Sequence, residues 1–109
     1  MKIKLYIEDK VEEFEIPDQV IEQGEDFFKK MDADMDKGWQ MGHVWVDKPN
    51  QLQRCQIVAD KMTSAIHNEN EKVFMLMGAY ILKNKPDTEE IHLDSTGEIQ
   101  TIDFIARTK

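Results

Sequence analysis

The sequence predicts an α+β fold: an antiparallel sheet of two β-hairpins, one N-terminal and one C-terminal, packed on one face by three central helices in the order ββαααββ. Three observations point there. Apolar and polar residues alternate over residues 1–16, three stretches between residues 18 and 85 carry apolar residues at helical spacing, and strand-like residues return on either side of Ser95-Thr96-Gly97. The chain of 109 residues is expected to form a single domain, 1–109, because either half alone would be too small to bury a core.

In the first sixteen residues Ile3, Leu5 and Ile7 alternate with Lys4, Tyr6 and Glu8, the period-two pattern of a strand with one wet face. A two-residue turn at Asp9-Lys10 sets Leu5 opposite Phe14 and Ile3 opposite Ile16, with Lys4, Tyr6, Glu13 and Glu15 on the other face. Pro17 ends the strand and Asp18 can cap a first helix. That helix is marked by Val20, Ile21, Gly24, Phe27, Phe28, Met31 and Met35 and stops at Gly38. Residues 38–46 (GWQMGHVWV) have no helical period and read as an ordered loop or a short extended piece.

Asp47, Lys48 and Pro49 form the next helix start. Leu52, Cys55, Ala59, Met62 and Ile66 then mark one face, widened by Val58 and Ala65. Asn68 to Asn70 interrupts the pattern, and Asn70 can cap a third helix. From Val73 to Leu82 every residue is apolar, Gly or Tyr, and Pro86 closes the run. In the tail, 90–94 and 98–104 read as strands, with Leu93 facing either Ile99 or Ile102.

Composition excludes several function classes. The net charge is −8, and the one segment with a net positive balance, residues 70–85, holds Lys72, Lys83 and Lys85 against Glu71. No basic stripe exists to displace counterions from a phosphate backbone, so nucleic-acid binding is not expected, and the same argument holds for anionic membranes. The apolar run 73–82 is too short to cross a hydrocarbon layer. With one cysteine, Cys55, no intramolecular disulfide can form, and a cytoplasmic location is expected.

The motifs of common chemistries are likewise missing. Asp32, Asp34 and Asp36 suggest a calcium loop, but Lys37 stands where its glycine belongs and His43 where its bidentate glutamate belongs. His43, His67, His92 and Cys55 lie at no close ligand spacing. Cys55 belongs to an apolar helix stripe and reads as a packed small hydrophobe. The chain has no G-x-S-x-G, Walker loop or G-x-G-x-x-G. No catalytic residue, cofactor or metal is therefore expected.

Two features point outward. Residues 38–50 gather both tryptophans with Met41 and His43 in a non-repeating connection, where binding residues are often carried. Asp36, Trp39, His43 and Trp45 are the candidate ligand or partner site. The third helix is apolar nearly all round and needs cover on every side, which predicts a homodimer contact through Phe74, Met75, Met77, Gly78 and Leu82. A non-enzymatic protein-binding or regulatory module is the expected function. The alternative is a small-molecule-binding protein or minor enzyme with a pocket at the 38–50 loop.

Around residues 31–46 (MDADMDKGWQMGHVWV) and 52–62 (LQRCQIVADKM) the chain resembles small uncharacterised proteins of proteobacterial genomes. The resemblance spans residues 30 to 104. It implies a bacterial cytoplasmic origin and carries over no activity and no functional residue.

Overall fold

A computed structural model describes residues 1–7, 10–93 and 99–106. The fold is mixed α and β. Its elements are β1 (Lys2–Ile7), β2 (Lys10–Glu15), α1 (Asp18–Gln23), α2 (Glu25–Asp36), β3 (Trp39–Met41), β4 (Val44–Val46), α3 (Gln51–His67), α4 (Glu71–Asn84), β5 (Thr88–Leu93) and β6 (Asp103–Ala106), with a 3-10 turn at Ile99–Thr101.

The two end hairpins join into one four-stranded sheet of order β2-β1-β5-β6. The expected all-antiparallel sheet is corrected at its centre, where β1 and β5 run parallel. The helices return the chain to the end of the sheet where β2 left it. β5 therefore enters from the same end as β1 and runs in the same direction. Ile3, Leu5 and Ile91 face the helices and are fully buried, while Lys4, Tyr6, Glu90 and His92 on the other face stay partly exposed.

The first hairpin has the expected faces but a different register. Ile3 pairs with Phe14, Leu5 with Glu12 and Ile7 with Lys10. The shift from the predicted pairing is two residues, so each side chain keeps its face and only its opposite number changes. Lys10 is the first residue of β2, while Asp9, the other half of the expected turn, lies outside the described residues. In the tail, Ile91 pairs with Phe104 and His92 with Asp103, the register that directs Leu93 toward Ile102 instead of Ile99. The expected turn at Ser95-Thr96-Gly97 lies outside the described residues. Residues 99–101, expected as strand, form the 3-10 turn. An irregularity between Thr88 and Glu90 lets β5 bury both Thr88 and Ile91.

The single helix expected before Gly38 is two, meeting at Gly24, the poorest helix former in the stretch after proline. α3 begins later than expected. Asn50 is its N-cap and forms a capping box with Gln53, so Pro49 precedes the cap and is buried. Leu52, expected on the core stripe, is exposed at the first turn. Asn70 caps α4 through the Val73 amide, as its position suggests.

α4 is the central helix of the layer. Phe74 meets Phe14 edge-on with centroids 4.4 Å apart, and Tyr80 meets Phe28 at 5.8 Å. A Cβ at Gly78 would overlap Ile16 Cδ1, so this glycine allows α4 to sit close on the sheet. One core of side chains from both layers results, including Ile3, Leu5, Ile16, Phe28, Met62, Tyr80 and Ile91.

Candidate functional site

Residues 38–46, expected as an ordered loop or a short extended piece, form a second, two-stranded antiparallel sheet in which Trp39 pairs with Val46, Gln40 with Trp45 and Met41 with Val44. Gly42 stands at the first turn position with φ +64°, the left-handed value that a two-residue hairpin of this type requires there. Because side chains alternate along a strand, Trp39 and Trp45 lie on opposite faces of this hairpin. Trp39 turns inward beside Met41, which is buried, and Lys61 Nζ lies 4.5 Å from its ring centroid. Trp45 turns outward and is 56% exposed.

The Trp45 indole is nonetheless held at two points. Its Nε1 donates to Asp47 Oδ1 at 2.9 Å. Its six-membered ring lies against Gly38, whose φ is +101° and where an added Cβ would overlap Trp45 Cζ2. His43 is exposed at the hairpin turn. The four predicted residues therefore do not wall one pocket. Trp39 and Trp45 are separated by the strand pleat, and Asp36 is engaged elsewhere.

Asp36 belongs to a network that the sequence reading missed. Asp32 and Asp36, four residues apart on one face of α2, both accept hydrogen bonds from Arg54 of α3, Asp32 Oδ1 at 3.1 Å. Arg54 Nε also donates to the Pro49 carbonyl at 2.8 Å. Tyr80 of α4, 1% exposed, donates its hydroxyl to the same Asp32 Oδ1 at 2.5 Å. Partial burial opposes the charge on Arg54, but its hydrogen bonds to Asp36 and Asp32 outweigh that and raise its pKa. Burial, together with the Asp32 hydrogen bond, pushes the Tyr80 hydroxyl well above its ordinary range. The i, i+4 spacing of the two aspartates was visible in the sequence. Their partner, 22 and 18 residues away, was not.

Asp32, Pro49, Gln51, Arg54, Tyr80 and Asn84 line an open cavity of about 350 Å³ where α2, α3 and α4 meet. Gln51 Nε2 donates to the Asn84 carbonyl and Asn84 Nδ2 to the Tyr80 carbonyl, both at 2.9 Å, tying α3 to the last turn of α4. A second cavity, of about 260 Å³, adjoins it and shares Gln51 and Asn84.

Of the residues predicted to make a dimer contact, Met77, Gly78 and Leu82 are buried within the chain itself, covered by the sheet and by neighbouring helices. That corrects the expectation of an outward face there. Phe74 and Met75 remain partly exposed. Met75 and Leu76, with Val20 and Gly24 of the α1–α2 junction, line an apolar cavity of about 250 Å³.

Cys55 is fully buried, and burial pushes its thiol up to about 11, so at neutral pH it is an inert thiol in the core. His92 lies on the open sheet face, stacked on Tyr6 at 4.4 Å and 2.8 Å from Glu90. Among the described residues, no three His, Cys, Asp or Glu side chains converge to hold a metal ion. No described helix is long and apolar enough to cross a membrane. No family model, curated protein or solved structure matches the chain.

Proposed function

We propose that the protein is a non-enzymatic protein-binding module of a bacterial cytoplasm, with the outer face of the β3–β4 hairpin as its binding surface and Trp45 as the anchor. One observation carries this reading: the largest side chain on that face is more than half exposed and yet fixed, by Asp47 at one end and Gly38 at the other. An indole that is already ordered loses little rotamer entropy when a partner covers it. Buried tryptophans at interface centres carry a large share of binding energy.

The test uses a Trp39→Phe variant, in which Trp45 is the sole fluorophore. A protein retained by the wild type and by Trp39→Phe, but lost from Trp45→Ala, should shift Trp45 emission to the blue when titrated in pure form. Retention of the same proteins by Trp45→Ala would refute the reading.

Self-association is a second reading, favoured by the apolar cavity beside Met75 and Leu76. A second copy seated there would cover the strip of α4 that its own chain leaves open. Sedimentation equilibrium at micromolar concentration should give a dimer mass for the wild type and a monomer mass for Met75→Glu. A monomer mass for the wild type would remove this reading and leave the Trp45 proposal standing.

A further inference from the structure

We infer that the cavity between α2, α3 and α4 is a binding site for a primary alkylammonium group. The inference is independent of the Trp45 reading and rests on how the lining residues have used their hydrogen-bonding capacity. Tyr80 gives its single O–H to Asp32, and Arg54 directs Nε to the Pro49 carbonyl and its two terminal nitrogens to Asp32 and Asp36. Gln51 and Asn84 each give an amide N–H to a main-chain carbonyl. A carbonyl can only accept, so the orientation of both amides is determined, and the oxygen is the atom each has left to offer.

Among the described residues, no donor reaches Asp32 Oδ2, Gln51 Oε1 or Asn84 Oδ1. The lining is therefore rich in unengaged acceptors. The lining itself pairs Asp32 with Arg54, and Asp36, outside the lining, adds a second carboxylate to the same guanidinium, which leaves the cluster at the cavity wall negative.

A group that suits these walls must donate several hydrogen bonds and carry positive charge. A primary ammonium does both, with three donors and no acceptor. A quaternary ammonium has the charge without the donors, and an alcohol has one donor without the charge. An anion would meet the negative cluster and the free acceptor atoms, and the Arg54 guanidinium already holds both carboxylates. The cavity is large enough for an ammonium group with a short alkyl stem. The adjoining cavity carries both Lys85 and Asp87, so it neither favours nor repels a second positive charge. The source of the ammonium can be a free amine or the side chain of a lysine on another protein, and the two share this chemistry.

The experiment is a titration of the full chain, followed by amide chemical shifts at low ionic strength. The probes are n-butylamine, a lysine blocked at both ends, tetramethylammonium and n-butanol. Butylammonium should give saturable shifts clustered at Asp32, Gln51, Arg54 and Asn84, with tetramethylammonium and butanol at least tenfold weaker. Blocked lysine binding as well as butylamine identifies a lysine side chain as a competent source. Butylamine binding alone limits the site to free amines.

Asp32→Asn should weaken binding tenfold or more. Because that change also touches Tyr80 and Arg54, a second variant guards the conclusion. Gln51→Glu, at an exposed position on the first turn of α3, adds a carboxylate and should tighten binding severalfold. Equal shifts from tetramethylammonium, shifts spread over the acidic surface, or the lack of any saturable response would overturn the inference.

Discussion

The junction between α3 and α4 offers a sharp test of backbone reasoning. α3 ends in two main-chain hydrogen bonds, from the Glu69 amide to the Ile66 carbonyl at 3.1 Å and from the Asn70 amide to the Ala65 carbonyl at 2.9 Å. Together they form a Schellman cap, which requires a left-handed residue at its C′ position. That residue is Glu69, at φ 55°, the one non-glycine residue with positive φ among the described residues. A side chain there costs roughly 1–2 kcal/mol through the clash of its Cβ. Glycine removes the clash but returns about 0.4–1 kcal/mol through the greater freedom of the unfolded chain.

Glu69→Gly should therefore stabilise the protein by about 0.5–1 kcal/mol. At about 4–8 °C per kcal/mol for a domain of this size, the melting temperature should rise by roughly 2–8 °C. Urea unfolding followed by circular dichroism gives the free energy directly. Glu69→Ala is the necessary control, since it removes the same negative charge from the helix C-terminus while keeping the Cβ. If Ala stabilises as much as Gly, the gain is electrostatic and the strain argument fails. If Gly destabilises, the side chain of Glu69 contributes something its exposed position does not reveal.

Tyr80→Phe deletes a buried donor to a carboxylate that is itself part-exposed, and should cost about 1–2 kcal/mol in urea unfolding; no measurable loss would remove the Asp32–Tyr80 bond from the account of how α2 meets α4. Gly78→Ala gains roughly 1 kcal/mol of helix propensity but drives a methyl into Ile16, and a net loss of about 1–2 kcal/mol is expected. A stabilised Gly78→Ala protein would show that the Ile16 side chain or α4 gives way at little cost. The buried Cys55 thiol predicts alkaline lability. Its folded pKa is raised to about 11, so as pH climbs past the ordinary thiol value near 8.5 the unfolded chain releases its proton first, and stability falls until pH passes the folded value. The stability–pH profile of Cys55→Ala should be flatter between about pH 9 and 11 than that of the wild type. Identical slopes would assign the loss to other groups.

Local patterns determined a good deal of this fold. The apolar alternation of Ile3 and Leu5, the helical spacing from Cys55 to Ile66, the Asn70 cap and the stop at Gly38 are effects of neighbouring residues on one another, and the sequence carries them. The β3–β4 hairpin was legible too, since Gly42-His43 sits between two short apolar-rich runs. The hairpin register was not legible from the pattern. A shift of two residues leaves every side chain on the same face, so burial cannot distinguish the alternatives and the turn decides.

The tertiary structure alone settled what joins distant parts of the chain. The direction of β5 beside β1 depends on which end of the sheet the helices return to. The cover of Met77, Gly78 and Leu82 depends on how close Gly78 lets α4 approach. The Asp32–Arg54–Asp36–Tyr80 network depends on three helix faces meeting. Single residues of these types look like solvated charge or packed core in sequence, because hydrogen-bond partners far apart along the chain leave no local periodicity. Sequence gathers both tryptophans in one segment, and packing decided that Trp39 belongs to the core while Trp45 is presented to solvent.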